Sequence, residues 1–162
     1  APTMSIQVGD RIPEVTLKRI RDGVETIDTI ALFDGRKAVL FAVPGAFTPT
    51  CSEKHLPSYV RHFDDFRNRG IEVFCVSVND PFVMQAWGRT QQVPDGLQML
   101  ADGNADLAKA LGLEMDASAY GMGVRAKRFA LYVEDGVVKH VFVEAPGEYK
   151  VSGAEHVLAQ LG

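Results

Sequence analysis

Apolar residues fall along this chain in two periods. Continuous apolar runs recur at 38–43 (AVLFAV), 71–78 (IEVFCVSV) and 97–101 (LQMLA), the mark of strands covered on both faces. Between the first two runs, Leu56, Val60, Phe63 and Phe66 stand at helical spacing. That spacing predicts one helix over 48–69, stopped by Gly70. Pro57 removes a backbone donor and predicts a bend near the helix start. Residues 82–90 predict a helix carrying Trp87, entered through Asn79-Asp80-Pro81. Residues 105–111 predict another, capped by Asn104 and stopped by Gly112, and 156–161 a last one. Two segment pairs enclose Asp-Gly turns: 15–20 with 24–29 about Asp22-Gly23, and 129–134 with 137–144 about Asp135-Gly136. Both read as β-hairpins. Residues 30–37 read as a connection, and 115–124 as a loop with two glycines and no clear period.

The resulting order is hairpin, β, α, β, α, β, α, hairpin, α. Alternation of strands and helices implies a parallel sheet centre, and the hairpins add antiparallel edges. Crossovers should be right-handed. The order fits an α/β fold, a thioredoxin-like three-layer sandwich with a mixed central sheet and an added N-terminal hairpin. The sequence contains no repeat, low-complexity segment or linker, so 1–162 reads as a single domain. At 162 residues and 46% hydrophobic content, one domain has a real core.

Charge and cysteine count narrow the chemistry. A net charge of −4 argues against nucleic acid or an anionic membrane as partner. No apolar run reaches membrane-spanning length. Two cysteines do not make a disulfide scaffold and favour a reducing compartment. No basic segment followed by an apolar run opens the sequence as given. The expectation is a cytoplasmic protein, with a processed organellar form as the alternative.

Residues 38–58 carry the strongest chemical signal. Pro44 and Gly45 end the strand. Thr48 reads as an N-cap and Pro49 as a first-turn proline, so Cys51 falls in the first helical turn. Free amides and the positive end of the helix dipole favour an anion there. A thiol in such a place can fall from about 8.5 to roughly 6 in pKa. An N-cap hydroxyl on Thr48 could accept from the Cys51 amide, gathering hydroxyl and sulfur on one patch. The loop exposes this position, and it lies past the C-terminal end of a strand, where functional loops of such sheets sit. The plain alternative is a buried, inert cysteine.

Other residues with chemical potential read more plainly. His55 stands four residues after Cys51, on the same helix face, as in a Cys–His nucleophilic pair. No acid in the local pattern orients the ring and Pro57 disturbs the turn, so a solvent-facing or helix-capping histidine is expected. The four histidines show no metal-ligand spacing with the cysteines. Trp87 reads as a packing or interface aromatic. Cys75, in mid-strand, reads as a small buried hydrophobe, and bridging it to Cys51 requires local opening. Arg125, Lys127 and Arg128 are neighbours, and strand alternation puts Lys127 opposite Arg128. The residues alone do not choose among these cations.

The stretch Pro44-Gly45-Ala46-Phe47-Thr48-Pro49-Thr50-Cys51-Ser52, with its Pro-x-x-x-Thr-x-x-Cys spacing, resembles the active-site loop of the peroxiredoxins. The wider pattern is similar to their type II, peroxiredoxin-5-like subgroup. Supporting stretches are Val76-Ser77-Val78-Asn79-Asp80, Ala86-Trp87-Gly88, Lys127-Arg128-Phe129 and Tyr132-Val133-Glu134-Asp135-Gly136. The resemblance implies catalytic roles for four residues. Cys51 is the peroxidatic nucleophile, Thr48 the hydroxyl that engages peroxide and sulfur, and Pro44 the shield of the pocket. Arg128 is the cation that holds thiolate and substrate oxygens, which leaves Arg125 to the surface.

It further implies a thiol-dependent peroxidase that reduces hydrogen peroxide and organic hydroperoxides through a sulfenic acid at Cys51. Some type II members carry a resolving cysteine near the C-terminus; residues 148–152 have none, and Ser152 takes that place. The implied cycle therefore uses one cysteine and an external reductant, glutathione with glutaredoxin or thioredoxin. No metal, haem or flavin is implied, and a homodimer is. Two other readings of Cys51 compete. A thiol-disulfide oxidoreductase wants Cys-x-x-Cys, and Thr48 stands at the first position. A redox sensor would switch a partner when Cys51 is oxidised.

Overall fold

The N-terminal hairpin pairs β1 (Thr16–Arg21) with β2 (Gly23–Asp28) in antiparallel register. The computed structural model describes residues 5–162, so the first four residues of the expected 1–162 domain lie outside it. A short helix α1 (Thr29–Phe33) follows where a plain connection was expected. Asp28 caps it, its carboxylate accepting from the Ile30 amide at 2.7 Å. Leu32 and Phe33 are buried by it, which is why five residues suffice: packing, not propensity, holds so short a helix.

Next come β3 (Lys37–Ala42), a long loop, a π-helical turn (Cys51–His55), α2 (Leu56–Arg61) and α3 (Phe63–Asn68). The single helix expected over 48–69 is thus divided. In the π turn the Leu56 amide bonds the Cys51 carbonyl, five residues back. Pro57 then falls in the first turn of α2, where its missing N–H costs least. The expected proline bend appears as this change of helical register. At His62 the backbone leaves helical geometry (φ −102°, ψ 11°), separating α2 from α3. Gly70, at φ +72°, ends α3 as predicted.

The chain continues through β4 (Ile71–Ser77), α4 (Pro81–Thr90), β5 (Leu97–Ala101) and α5 (Asp106–Ala110). Asp102, not Asn104, holds the start of α5: its carboxylate accepts from the Leu107 and Ala108 amides at 3.0 Å. Residues 115–124, expected as a loop, begin and end in a two-stranded ribbon of β6 (Glu114–Asp116) and β7 (Val124–Ala126). The second hairpin, β8 (Phe129–Glu134) with β9 (Val137–Val143), turns at Asp135-Gly136 as predicted. Helix α6 (Ala154–Leu161) follows.

β1–β5, β8 and β9 form one seven-stranded sheet in the order β2-β1-β5-β4-β3-β8-β9. β3, β4 and β5 are parallel, and antiparallel strands flank them on both sides. Strand alternation sorts the core into two layers. On β3, Ala38, Leu40 and Ala42 face one cluster, with Leu32, Phe33 and Leu107 from α1 and α5. Val39 and Phe41 face the other, with Tyr59, Phe66, Trp87 and Val157 from α2, α3, α4 and α6. This is the expected three-layer, thioredoxin-like sandwich. Each large apolar side chain buried in these layers contributes roughly 1.5–3 kcal/mol. Cys51 and Cys75 belong to the second layer, so the helix start that follows β3 aims its sulfur at the sheet.

Candidate active site

Residues 43–48 form a braced loop between β3 and the helical residues that begin at Pro49 and run into the π turn. The Ala46 amide donates to the Asn79 side chain at 3.0 Å, tying the loop to the end of β4. Gly45 is closely packed: a Cβ there would lie 3.0 Å from Met122 Cε and 3.1 Å from Thr48 Cγ2, so both side chains would have to give way. Phe47 sits at φ +65°, which is strained for a non-glycine residue, and its ring is exposed. Thr48 precedes the first helical residue as predicted, but its hydroxyl does not cap the Cys51 amide. It donates to the Gly45 carbonyl at 2.7 Å, while the Thr48 carbonyl accepts from Ser52 N at 2.9 Å.

Cys51 lies in the first turn but has no exposed surface. The expected exposure is therefore corrected: the side chain turns inward onto the layer that contains Cys75. Its sulfur is not inert by isolation, however. Nη2 of Arg128 donates to Cys51 Sγ at 3.2 Å. Of the three neighbouring cations, geometry brings Arg128 to the sulfur. Lys127 and Arg128 both lie between β7 and β8, so strand alternation does not govern them, and both line one cleft. Arg125 is not a free surface residue. Its Nε donates to the Met122 carbonyl at 2.9 Å and Nη1 to the Val78 carbonyl at 3.0 Å, bracing two loops.

That cleft measures about 500 Å³ and is bordered by Pro44, Thr50, Arg128, Glu144, Pro146 and Tyr120. Of the residues named from the sequence, Pro44 and Arg128 border this cleft, and Arg128 links it to the buried Cys51 sulfur. Thr48 is not among the lining residues, its hydroxyl being engaged with the Gly45 carbonyl.

His55 departs most from expectation. It is fully buried, neither solvent-facing nor capping a helix end. Nη1 of Arg128 donates to His55 Nδ1 at 2.9 Å, and His55 Nε2 donates to the Ser152 carbonyl at 3.1 Å. Burial, then the Arg128 cation, lower its pKa to about 3. The four-residue spacing from Cys51 was the available signal. What could not be read was the partner on a distant strand entry. Ser152 is likewise a buried structural residue. Its carbonyl also accepts from the Tyr59 hydroxyl at 2.7 Å, and its own hydroxyl donates to Glu144 at 2.7 Å. Glu144, without any local motif, was missed. Burial pushes its carboxyl up, but donors from Ser152, Lys150 and Val151 outweigh that and leave it below the usual carboxylate value.

Trp87 is a packing residue, fully buried, with its indole N–H on Ser52 Oγ at 3.0 Å. Cys75 is buried in β4, and burial followed by the nearby Cys51 raises its thiol well above the ordinary value.

Comparison with known proteins identifies the family. The redoxin family model matches residues 7–158. The chain is 47% identical to peroxiredoxin-2E-2, chloroplastic, of Oryza sativa subsp. japonica, covering 97% of this chain and 73% of that protein. It is 43% identical to peroxiredoxin-2B of Arabidopsis thaliana, covering 96% and 98%. The crystal structure of reduced Prx3 from Vibrio vulnificus in complex with hydrogen peroxide superposes with a TM-score of 0.93, at 47% identity over 97% of this chain and 99% of that one. The chain belongs to the peroxiredoxins, thiol-dependent peroxidases, and carries the type II, peroxiredoxin-5-like pattern.

Proposed function

We propose that Cys51 is the peroxidatic nucleophile and that Thr48, Arg128 and Pro44 complete its catalytic site. The Cys51 thiolate attacks one peroxide oxygen in line with the O–O bond. A sulfur–oxygen bond forms, the O–O bond breaks, and the second oxygen departs with the bonding pair. It leaves as water from hydrogen peroxide or as an alcohol from an organic hydroperoxide, taking up the proton the thiol gave up. Sulfur is oxidised to a sulfenic acid and peroxide is reduced.

Charge develops on the departing oxygen, and fixed donors aimed at it lower the barrier. Arg128, already donating to the sulfur, suits this because its planar fork can contact sulfur and oxygen together. Thr48 turns its hydroxyl from the Gly45 carbonyl toward the peroxide. Pro44, on the rim of the cleft, keeps bulk water from the reacting atoms.

The sulfenic acid is resolved from outside. A reductant thiol condenses with it, releasing water and leaving a mixed disulfide, and a second thiol displaces Cys51 as thiol. Glutathione with glutaredoxin, or thioredoxin, supplies these thiols. The buried, hard-to-ionise Cys75 and the absence of a cysteine in residues 148–152 favour this one-cysteine cycle. Both electrons pass through sulfur, so the chemistry calls on no metal, haem or flavin. We place the protein in the cytoplasm as a homodimer, with exposed Phe47 and Phe82 supplying apolar surface for pairing.

The observation that carries this reading is the 3.2 Å contact between Arg128 and Cys51. A reductant panel on the wild-type protein, with peroxide consumption as readout, tests it. Sustained turnover with glutathione and glutaredoxin or with thioredoxin is expected. Peroxide loss that stops after one equivalent with every donor would overturn the cycle and favour a sensor.

A further inference from the structure

We propose that His55 is a positioning residue of this site: it accepts from Arg128 through Nδ1 and is anchored through Nε2, fixing the guanidinium so that its other nitrogen meets the Cys51 sulfur. The inference rests on the peroxidase reading above.

The tautomer follows from the partners. Arginine carries only donors, so Nδ1, facing Arg128 at 2.9 Å, must be the acceptor. A carbonyl oxygen carries only lone pairs, so Nε2, facing the Ser152 carbonyl at 3.1 Å, must carry the proton. Both ring nitrogens are thus committed to a neutral imidazole. The ring lies near those of Phe41, Tyr59 and Tyr149, with centroids 5.1, 5.8 and 5.3 Å away. Arg128 is the one cation at the ring among the described residues packed against it, and an imidazolium there would set two cations together. His55 is therefore no general base for Cys51, although the two share a helix face.

The anchor is itself held. The Ser152 amide and hydroxyl donate to Glu144 Oε2 at 2.8 and 2.7 Å, and the Val151 amide at 2.9 Å. The Glu144 amide in turn donates to the Arg128 carbonyl at 3.0 Å. The hydrogen bonds close a circuit: Arg128 backbone, Glu144, Ser152, His55, Arg128 side chain. An arginine has a long, rotamer-rich stem, and a fork fixed beforehand need not be ordered in the transition state. Through this circuit the C-terminal segment 144–152 sets the cation that stabilises the thiolate.

Two substitutions separate the two contacts. Asparagine at position 55 places an amide oxygen where Nδ1 stood, keeping the acceptor for Arg128. Glutamine reaches toward Ser152 and loses that acceptor. The measurements are ultraviolet titration of the Cys51 thiolate and single-turnover oxidation by hydrogen peroxide followed through Trp87 fluorescence. For His55→Gln the ionisation midpoint should rise by about one pH unit and oxidation slow about tenfold. For His55→Asn oxidation should stay within about threefold of wild type. Unchanged midpoint and rate in His55→Gln would overturn the proposal, as would equal losses in Gln, Asn and Leu variants, which mark a packing role only. Slow oxidation of Arg128→Met beside a wild-type rate for His55→Gln would refute this proposal alone. Wild-type protein that consumes no peroxide would refute the reading beneath it.

Discussion

Nη1 of Arg128 lies 2.9 Å from Nδ1 of His55, a contact that only an unprotonated imidazole can accept. Burial, and then the guanidinium, lower the His55 pKa from 6.5 to about 3. Between those values the unfolded chain binds a proton that the folded chain refuses, so stability rises with pH across that window. The contribution is complete above the unfolded value and is lost as pH falls toward the folded one, roughly 3–5 kcal/mol in all. Glu144 acts in the same sense. Burial raises its carboxyl, yet the donors around it hold it below its ordinary value. Its contribution is present above that ordinary value and lost as pH falls through the lowered one. Denaturant midpoints should therefore drop steeply from about pH 7 to about pH 4.5. His55→Gln should be less stable at neutral pH but show a shallower slope. Equal slopes in the two proteins would contradict a neutral buried ring.

Arg128 divides two nitrogens between Cys51 and His55, and lysine has no such fork. Arg128→Lys should keep the charge but lose one contact, slowing oxidation of Cys51 by about 10- to 100-fold. Arg128→Met should be slower still, and Cys51→Ser should consume no peroxide. Stopped-flow rates on folded proteins, checked by circular dichroism, decide it. Undiminished turnover of Cys51→Ser would sink the assignment of the nucleophile.

Thr48 braces the loop through its carbonyl and its hydroxyl, and the proposed mechanism gives that hydroxyl a second role toward peroxide. Its carbonyl accepts from Ser52, and its hydroxyl donates to Gly45. Thr48→Val preserves shape and the backbone bond but removes the donor, which should cost about 100-fold in peroxide reactivity. Thr48→Ser should stay within about tenfold of wild type. A Val variant as fast as the Ser variant would show that the hydroxyl only braces the loop.

Much of this was legible in residue order because the signals were local. Continuous apolar runs marked β3, β4 and β5, and Asp22-Gly23 and Asp135-Gly136 marked both hairpins. Pro44, Thr48 and Cys51 form one motif in one short stretch, so their proximity along the chain was readable from the sequence. Arg128 needed the family resemblance, because Arg125 and Lys127 offer the same charge nearby. The missed features depend on distant partners. α1 exists because Leu32 and Phe33 find a core. Asp102 caps α5 because Ala105 takes a left-handed conformation at φ +62°, letting the carboxylate reach Leu107 and Ala108. His55 looked unsupported because its orienting groups, Arg128 and Ser152, lie 73 and 97 residues away. Local periodicity carries no information about such closures.

Cys75 decides whether the cycle is internal or external. It sits opposite Phe41 on β3 and Met99 on β5, in the middle of the parallel centre. Burial, then the neighbouring Cys51, push its thiol well above the ordinary value. A thiol resolves a sulfenic acid as thiolate, so a group held neutral in a sheet interior is a poor resolver. Reaching Cys51 would also require close, aligned Cβ atoms, and hence loss of ladder bonds to two strands. Cys75→Ala should therefore keep turnover with glutathione and glutaredoxin within about twofold, while losing about 1 kcal/mol of stability from the small cavity. After one equivalent of peroxide, mass spectrometry of the wild-type protein should find a trappable sulfenic acid at Cys51 and no internal disulfide. A Cys51–Cys75 crosslink, together with lost turnover in a folded Cys75→Ala protein, would show instead that β4 opens during catalysis.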